Sequence, residues 1–332
     1  MKIALDALGA DNSPDAEIAG AKLALESLPE IQQLLLVGDE DRVRRECEKQ
    51  GLSDPRIEFV HAAETVTMDE SALKAVRLKK KSSINIAADL VKNGDAGAIV
   101  SAGNTGAVVA ASRLKIRCLE GVKMPGIVAP LPNRHAPCNL LDAGANVNAE
   151  ALHLLHYAIM GSVYAERIQG IENPVVGLMS VGEEDEKGTN LTKAAFELLK
   201  NAPINFRGNV EGTDLFESKL NVVICDGFVG NVVLKTCEGT AKFLMSQIKE
   251  AAMSSLTGKI GGALLKPALK PLKYKMSAES VGGSPLLGIN GICIISHGSS
   301  NGPAIANAIR VAADAIRREV NPLIQEKIAS LG

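Results

Sequence analysis

The sequence predicts an α/β protein built on a mostly parallel sheet, and three observations carry that prediction. Short aliphatic and β-branched runs alternate with helix-length amphipathic segments along the whole chain, the pattern of repeated βα units. Of 332 residues, 46% are hydrophobic but only 3% aromatic. The core must therefore be Ala, Val, Ile and Leu, which suits helices packed closely on a parallel sheet better than a sandwich. Polar, glycine-bearing loops recur where strands end, at 101–106, 142–146, 182–190, 226–231 and 297–302. In open α/β sheets ligands sit at that edge, so the loops are expected to share one rim and one cleft.

In order, Lys2 to Leu5 is the first strand. Ser13-Pro14-Asp15 starts a helix, with Ser13 as cap and Pro14 at the first helical position. Leu34 to Val37 is the second strand, followed by a charged helix to Gln50 with Gly51 beyond its end. Ile57 to Val60 is the third, and residues 64 to 83 are less regular. Ile84 to Lys92 is helical, and Gly94 ends it. Gly126 to Ala129 and Cys138 to Leu141 are short strands, and a long helix follows from about Ala149 to Gln169. Val175 to Val181, Ile204 to Phe206 and Asn221 to Cys225 are further strands, and Ile289 to Ile295 is the last. An Ala-rich helix closes the chain to Ser330. The whole is expected to be a single α/β unit, 1–332, of two lobes around a cleft.

Net charge is −2, so nothing global points to nucleic acid. The six cysteines form no C-x-x-C pair and are expected to be reduced thiols of a cytoplasmic protein. Asp6 comes too soon for a signal peptide, and no run approaches the roughly 20 apolar residues of a membrane span. No Gly-x-Gly-x-x-Gly follows the first strand, so no dinucleotide cofactor is expected. His153 and His156 lie three apart on a helix without carboxylate or cysteine at ligand spacing, so no metal is expected.

Ala98 to Leu114 joins a buried strand to a helix through Ser101-Ala102-Gly103-Asn104-Thr105-Gly106. The unpaired N–H groups of a helix start, with the dipole, suit an anion such as phosphate. Gly103 and Gly106 allow close approach, while Asn104 and Thr105 add polar groups. The plainer alternative is a strand–helix connection capped by Thr105.

Two basic stretches stand out. Arg77 to Lys81 is either a solvated face or a docking patch for an acidic partner, through Lys79, Lys80 and Lys81. Residues 254–276 mix Ile260, Leu264, Leu265 and Leu269 with Lys259, Lys266, Lys270 and Lys273, and contain no acid. Such a protruding cationic amphipathic arm suits an anionic membrane surface, an acidic protein, or a second copy of the chain.

The segments SAGNTGA, LLDAGAN, VGEEDEKG, NVEG, CDGFVGNVVLK, GGSPLLG and IISHGSSNGPAI run through the chain in that order. Their order and sequence resemble those of the bacterial phosphate acyltransferases, the acyl-carrier-protein–phosphate transacylases of phospholipid synthesis. Departures are Ala10, Gly97 and Thr189-Asn190, where that family usually has Gly, Asp and Asn-Glu. The resemblance implies a three-layer, isocitrate/isopropylmalate-dehydrogenase-like fold shared with phosphotransacetylases, with a central cleft. It implies a homodimer that moves a long-chain fatty acyl group from acyl carrier protein to inorganic phosphate, without cofactor. The acyl phosphate would pass to a membrane glycerol-phosphate acyltransferase, so the enzyme is expected in the cytoplasm and peripherally on the membrane. The nearest alternative is a phosphotransacetylase using acyl-coenzyme A.

Such chemistry needs donors for the phosphate and for the developing oxyanion. Lys187 and Asn231 are the expected catalytic pair. Gly103, Asn104, Thr105, Gly106, Asp226, Gly230, His297 and Ser299 are expected around phosphate and thioester, with Asp226 orienting rather than acting as base. The leaving thiolate, of pKa about 8.5, needs little acid help, and positioned phosphate can attack directly. A rival route forms an acyl-enzyme on Cys225.

Overall fold

A computed structural model describes residues 1–275 and 282–331. Its strands are β1 (Lys2–Asp6), β2 (Gln33–Gly38), β3 (Ile57–His61), β4 (Ala98–Ser101), β5 (Gly126–Leu131), β6 (Cys138–Leu141), β7 (Val175–Met179), β8 (Asn205–Val210), β9 (Val222–Ile224), β10 (Ser284–Leu287) and β11 (Ile292–Ile295). They form one 11-stranded sheet in the order β3-β2-β1-β4-β11-β10-β5-β6-β9-β7-β8.

Alternation along the strands builds two cores. Ile3, Leu5, Leu34, Leu36 and Val100 face helices α1 (Asp15–Ser27), α2 (Glu40–Lys49), α6 (Ala151–Gln169), α7 (Asn190–Lys200), α12 (Gly302–Arg317) and α13 (Val320–Ala329). Ala4, Leu35, Val37 and Ile99 face α3 (Ala72–Leu78), α4 (Ser83–Asn93) and α5 (Thr105–Ala111). Period-two burial on both faces gives a three-layer α/β/α body. A short α8 (Asp214–Glu217) lies between β8 and β9, and a π-turn, Ser112–Ile116, continues α5.

Strand direction corrects the single-rim expectation. β3, β2, β1, β4 and β11 are mutually parallel, as are β6, β9, β7 and β8. Between the two groups, β11–β10, β10–β5 and β5–β6 are all antiparallel. Three reversals leave the groups running in opposite directions. The loops at 101–106 and 297–302 therefore end strands on one rim, and those at 142–146, 182–190 and 226–231 on the other.

Local chemistry explains smaller shifts. Ser13 does not cap α1: its Oγ accepts from Ala10 N at 2.7 Å and donates to Glu17 Oε1 at 2.6 Å, and the helix starts at Asp15. Asn104, not Thr105, caps α5, its Oδ1 accepting from Ala107 N at 3.1 Å. The expected last strand shortens to β11, an unexpected β10 precedes it, and the last helix breaks before α13 at Glu319, whose φ is 52°.

Helix α9 (Gly227–Met253) pairs with α10 (Leu256–Lys275), which continues through Pro267 and Pro271. No residue of α9 after Gly230 is buried. Phe243, Leu244, Ile248, Leu256, Ile260, Leu264 and Leu265 are exposed, so the apolar arm begins before residue 254. Side chains from 272 to 281, Lys273 among them, lie outside the described residues. No helix among the described residues is long and apolar enough to cross a membrane.

Candidate active site

On the first rim three loops interlock. Buried Asp6 accepts from Ser101 Oγ at 2.7 Å, and Ser101 Oγ accepts from Gly103 N at 3.1 Å. Asp11 N donates to Gly298 O at 3.0 Å. Burial raises the pKa of Asp6, against the hydroxyl donors around it. His297 and Ser299 are exposed, with Nδ1 2.8 Å from Ser299 Oγ. Ser299 N also donates to that nitrogen at 3.2 Å. Asn104 is occupied structurally: beyond its cap, Nδ2 donates to Thr67 O, Met68 O and Glu70 O. Thr105 and Gly106 remain exposed.

On the second rim the organiser is Asp142. One carboxylate oxygen accepts from Ile127 N, Gly144 N and Ala145 N at 2.9–3.0 Å, and the other from Asn146 N at 2.7 Å. Burial raises its pKa while those four N–H groups oppose the shift. The first turn of α9 docks on this loop. Asp226 Oδ1 caps it, accepting from Phe228 N at 2.9 Å and Val229 N at 3.1 Å. A Cβ at Gly230 would fall 1.9 Å from Asp142 O, so only glycine lets the helix come this close. The docking brings Asn231 against Gly144: a Cβ there would be 3.5 Å from Asn231 Cβ, at a φ of +134° that favours glycine.

Lys187 stands on the same rim, because β7 adjoins β9, with Leu178 registered beside Ile224. Its stem crosses Gly182, and its N–H donates to Glu184 O at 3.0 Å. The side chain is exposed and has no ion-pair partner among the described residues, although four acids precede it. The structure thus sets Lys187 on the rim that also holds Asp226, Gly230 and Asn231, and Gly103, Asn104, His297 and Ser299 on the other.

A cleft of about 540 Å³ lies between α3 and α5 and reaches the Gly144 loop. One wall is a single stripe of α5 and its π-turn: Gly106, Val109, Ala110, Arg113 and Leu114. The other is Ala72, Leu73 and Arg77 of α3, with Met124-Pro125 and Gly144-Ala145 completing it. Of the residues expected around phosphate and thioester only Gly106 lines it; Lys187, Asn231, Gly103, Asn104, Thr105, Asp226, Gly230, His297 and Ser299 do not. The stripe was visible in the sequence as apolar spacing of three and four, but nothing there distinguishes a wall from a core face.

Cys225 is buried, its Sγ donating to Asp142 O at 3.7 Å, and burial pushes its thiol well above the ordinary value. This is the setting of an inert thiol. His153 Nδ1 accepts from Glu150 N at 2.9 Å in a helix cap. His156 is buried, and desolvation lowers its pKa to about 4. Lys79 pairs with Glu70 at 2.6 Å, whereas Lys80 and Lys81 are exposed without such a partner among the described residues.

A continuous mixed sheet with helices on both faces and glycine loops on two rims defines a phosphotransacetylase-like α/β fold. Solved structures bear this out. A phosphotransacetylase from Streptococcus pyogenes superposes with a TM-score of 0.63 at 18% identity, covering 96% of this chain and 94% of that one. A branched-chain phosphotransacylase from Enterococcus faecalis gives 0.57 at 12%, covering 95% and 99%. The fatty acid synthesis protein family model matches residues 1–323. A phosphate acyltransferase of Akkermansia muciniphila is 52% identical, with 100% of this chain and 97% of the relative covered. A Bacillus cereus phosphate acyltransferase is 46% identical over 98% and 97%. The chain belongs to the phosphate acyltransferase family, and it is an acyltransferase enzyme of lipid synthesis.

Proposed function

We propose that the protein transfers a long-chain fatty acyl group from acyl carrier protein to inorganic phosphate, releasing the carrier thiol and acyl phosphate. The observation that carries this reading is the docking of Asn231 on the Gly144 loop, on the rim that also holds Lys187, in a chain of this family. A phosphate oxygen attacks the thioester carbonyl, the C–S bond breaks, and the thiolate leaves. The Asn231 amide and the Lys187 ammonium face the charge that develops on the carbonyl oxygen. Asp226 holds the first turn of α9 and so positions Asn231. Gly103, Thr105, His297 and Ser299 lie on the other rim, outside the lining of the cleft, and receive the carrier's thioester arm.

Direct transfer is favoured over an acyl-enzyme because Cys225 is buried and its thiol is held protonated. Carrier protein, being acidic, docks through Lys80, Lys81 and the lysines of α10. The exposed leucines of the α9–α10 hairpin serve a homodimer and a peripheral membrane contact. Lys187→Ala and Asn231→Ala should each lower turnover on palmitoyl carrier protein by roughly 10²–10³ with an unchanged thermal midpoint. Near-normal rates would remove that residue from the reaction. A preference for palmitoyl-coenzyme A over the carrier thioester would instead favour the phosphotransacetylase alternative.

A further inference from the structure

The cleft between α3 and α5 carries a pattern that charge stabilisation at Asn231 and Lys187 does not use. Its walls are largely apolar: Leu73 is exposed, Met124 is half-buried, and Val109 and Ala110 are half-buried over the core beneath them. It narrows where Gly106 meets α3, since a Cβ on Gly106 would fall 2.9 Å from Ala72 Cβ. From Gly106 to Leu114 the wall runs for about 12 Å at 1.5 Å per residue. The opposite end is Gly144-Ala145, with Asn231 against Gly144. Arg77 and Arg113 also line the cleft, and neither has an ion-pair or hydrogen-bond partner among the described residues. Arg113 lies on the same stripe about one turn past Ala110, away from the Gly106 end.

A largely apolar cleft that narrows at one end and carries guanidiniums without partners among the described residues fits a chain with an anionic head. Both guanidiniums are exposed at the edge of the cleft, so an anionic head gains from them where a neutral lipid or a purely apolar helix would not. The volume lies within the roughly 300–1,000 Å³ of small-ligand sites. We propose that this cleft seats the acyl chain, with its methyl end at the Gly106–Ala72 closure and its carbonyl at Gly144. Ala110, midway along the α5 wall, limits the chain length that fits, and Arg113 receives the phosphate of the acyl phosphate product. The proposal rests on the acyl-transfer reading above and assigns the part of the substrate that reading leaves unplaced.

The test compares carrier thioesters of 8, 12 and 16 carbons on the wild type, Ala110→Phe and Leu73→Phe, reading the ratio of kcat/KM for 16 carbons to that for 8. Both substitutions add volume to the cleft from opposite walls, so one remains informative if the other fails to fold. At about fourfold per buried methylene, displacing two methylenes lowers the ratio roughly 16-fold. A ratio unchanged within twofold in the folded variants overturns the proposal while leaving acyl transfer standing. In parallel, octyl, dodecyl and hexadecyl phosphate should raise the thermal midpoint of the wild type progressively with chain length, and Arg113→Gln should remove that progression's offset for all three. Equal shifts for all lengths would overturn the tail site. Absence of phosphate-dependent thiol release by the wild type at every chain length would defeat the acyl-transfer reading instead.

Discussion

Glu17 offers a measurement whose size follows from the structure. It sits in α1 with no exposure, one carboxylate oxygen accepting from Ser13 Oγ at 2.6 Å and the other without a hydrogen-bond partner among the described residues. Burial raises its pKa from 4.5 to about 7, opposed by the Ser13 bond and reinforced by neighbouring Asp6. A carboxyl whose folded pKa lies above its unfolded one stabilises the protein below the unfolded value, and that contribution is lost as pH rises through the folded value. At 1.36 kcal/mol per unit, a rise from 4.5 to about 7 corresponds to a loss of about 3 kcal/mol between roughly pH 4.5 and 7, level thereafter. Glu17→Gln keeps the acceptor for Ser13 and cannot ionise. Urea unfolding of both proteins from pH 4 to 8 should show the variant gaining about 3 kcal/mol on the wild type across that window. A difference independent of pH would refute a neutral buried carboxyl at this position. The loop it supports matters for the first rim, because Ser13 also holds Ala10 N, and Gly9 packs on Gly103.

Other consequences are more local. Gly230→Ala forces a Cβ to within 1.9 Å of Asp142 O; the displaced α9 should cost several kcal/mol, about 3 or more, in urea unfolding and abolish turnover. Asp226→Ala removes the cap from Phe228 N and Val229 N and should cost about 1 kcal/mol of stability, with kcat falling more than KM rises because Asn231 loses its register. Cys225→Ser should retain turnover, and trapping with labelled acyl thioester should leave no label on the protein. Leu264→Glu, on the exposed face of α10, should release the protein from anionic liposomes in flotation, whereas unaltered flotation would assign the membrane contact elsewhere.

Much of the fold was legible because its signals are local. The aliphatic strands β1, β2, β3 and β6 fall within a residue or so of their sequence limits because short aliphatic runs mark them, and Gly51 and Gly94, in left-handed turns, mark the ends of α2 and α4. Strand β10 escaped because Ser284-Pro285-Leu286-Leu287 follows two glycines and carries a proline that offers no ladder donor. The closing helix was read as one because its Ala pattern is continuous, yet Pro322 lacks the N–H that a continuous helix requires. Strand direction is a tertiary property: the reversals at β10, β5 and β6 move three of the five glycine loops to the other rim, and no residue spacing encodes them. In the site, the capping role of Asp226 follows from its place before a glycine and an apolar helix. The engagement of Asn104 with residues 67–70 depends on a segment more than thirty residues away in sequence and could not be read from its own loop.

The central claim is that phosphate itself takes the acyl group. Long-chain acyl carrier protein should release free carrier thiol with the purified enzyme only when inorganic phosphate is present, and hydroxylamine should capture one acyl hydroxamate per thiol released. Thiol release that proceeds equally without phosphate, or with free fatty acid as the only early product, would contradict the account.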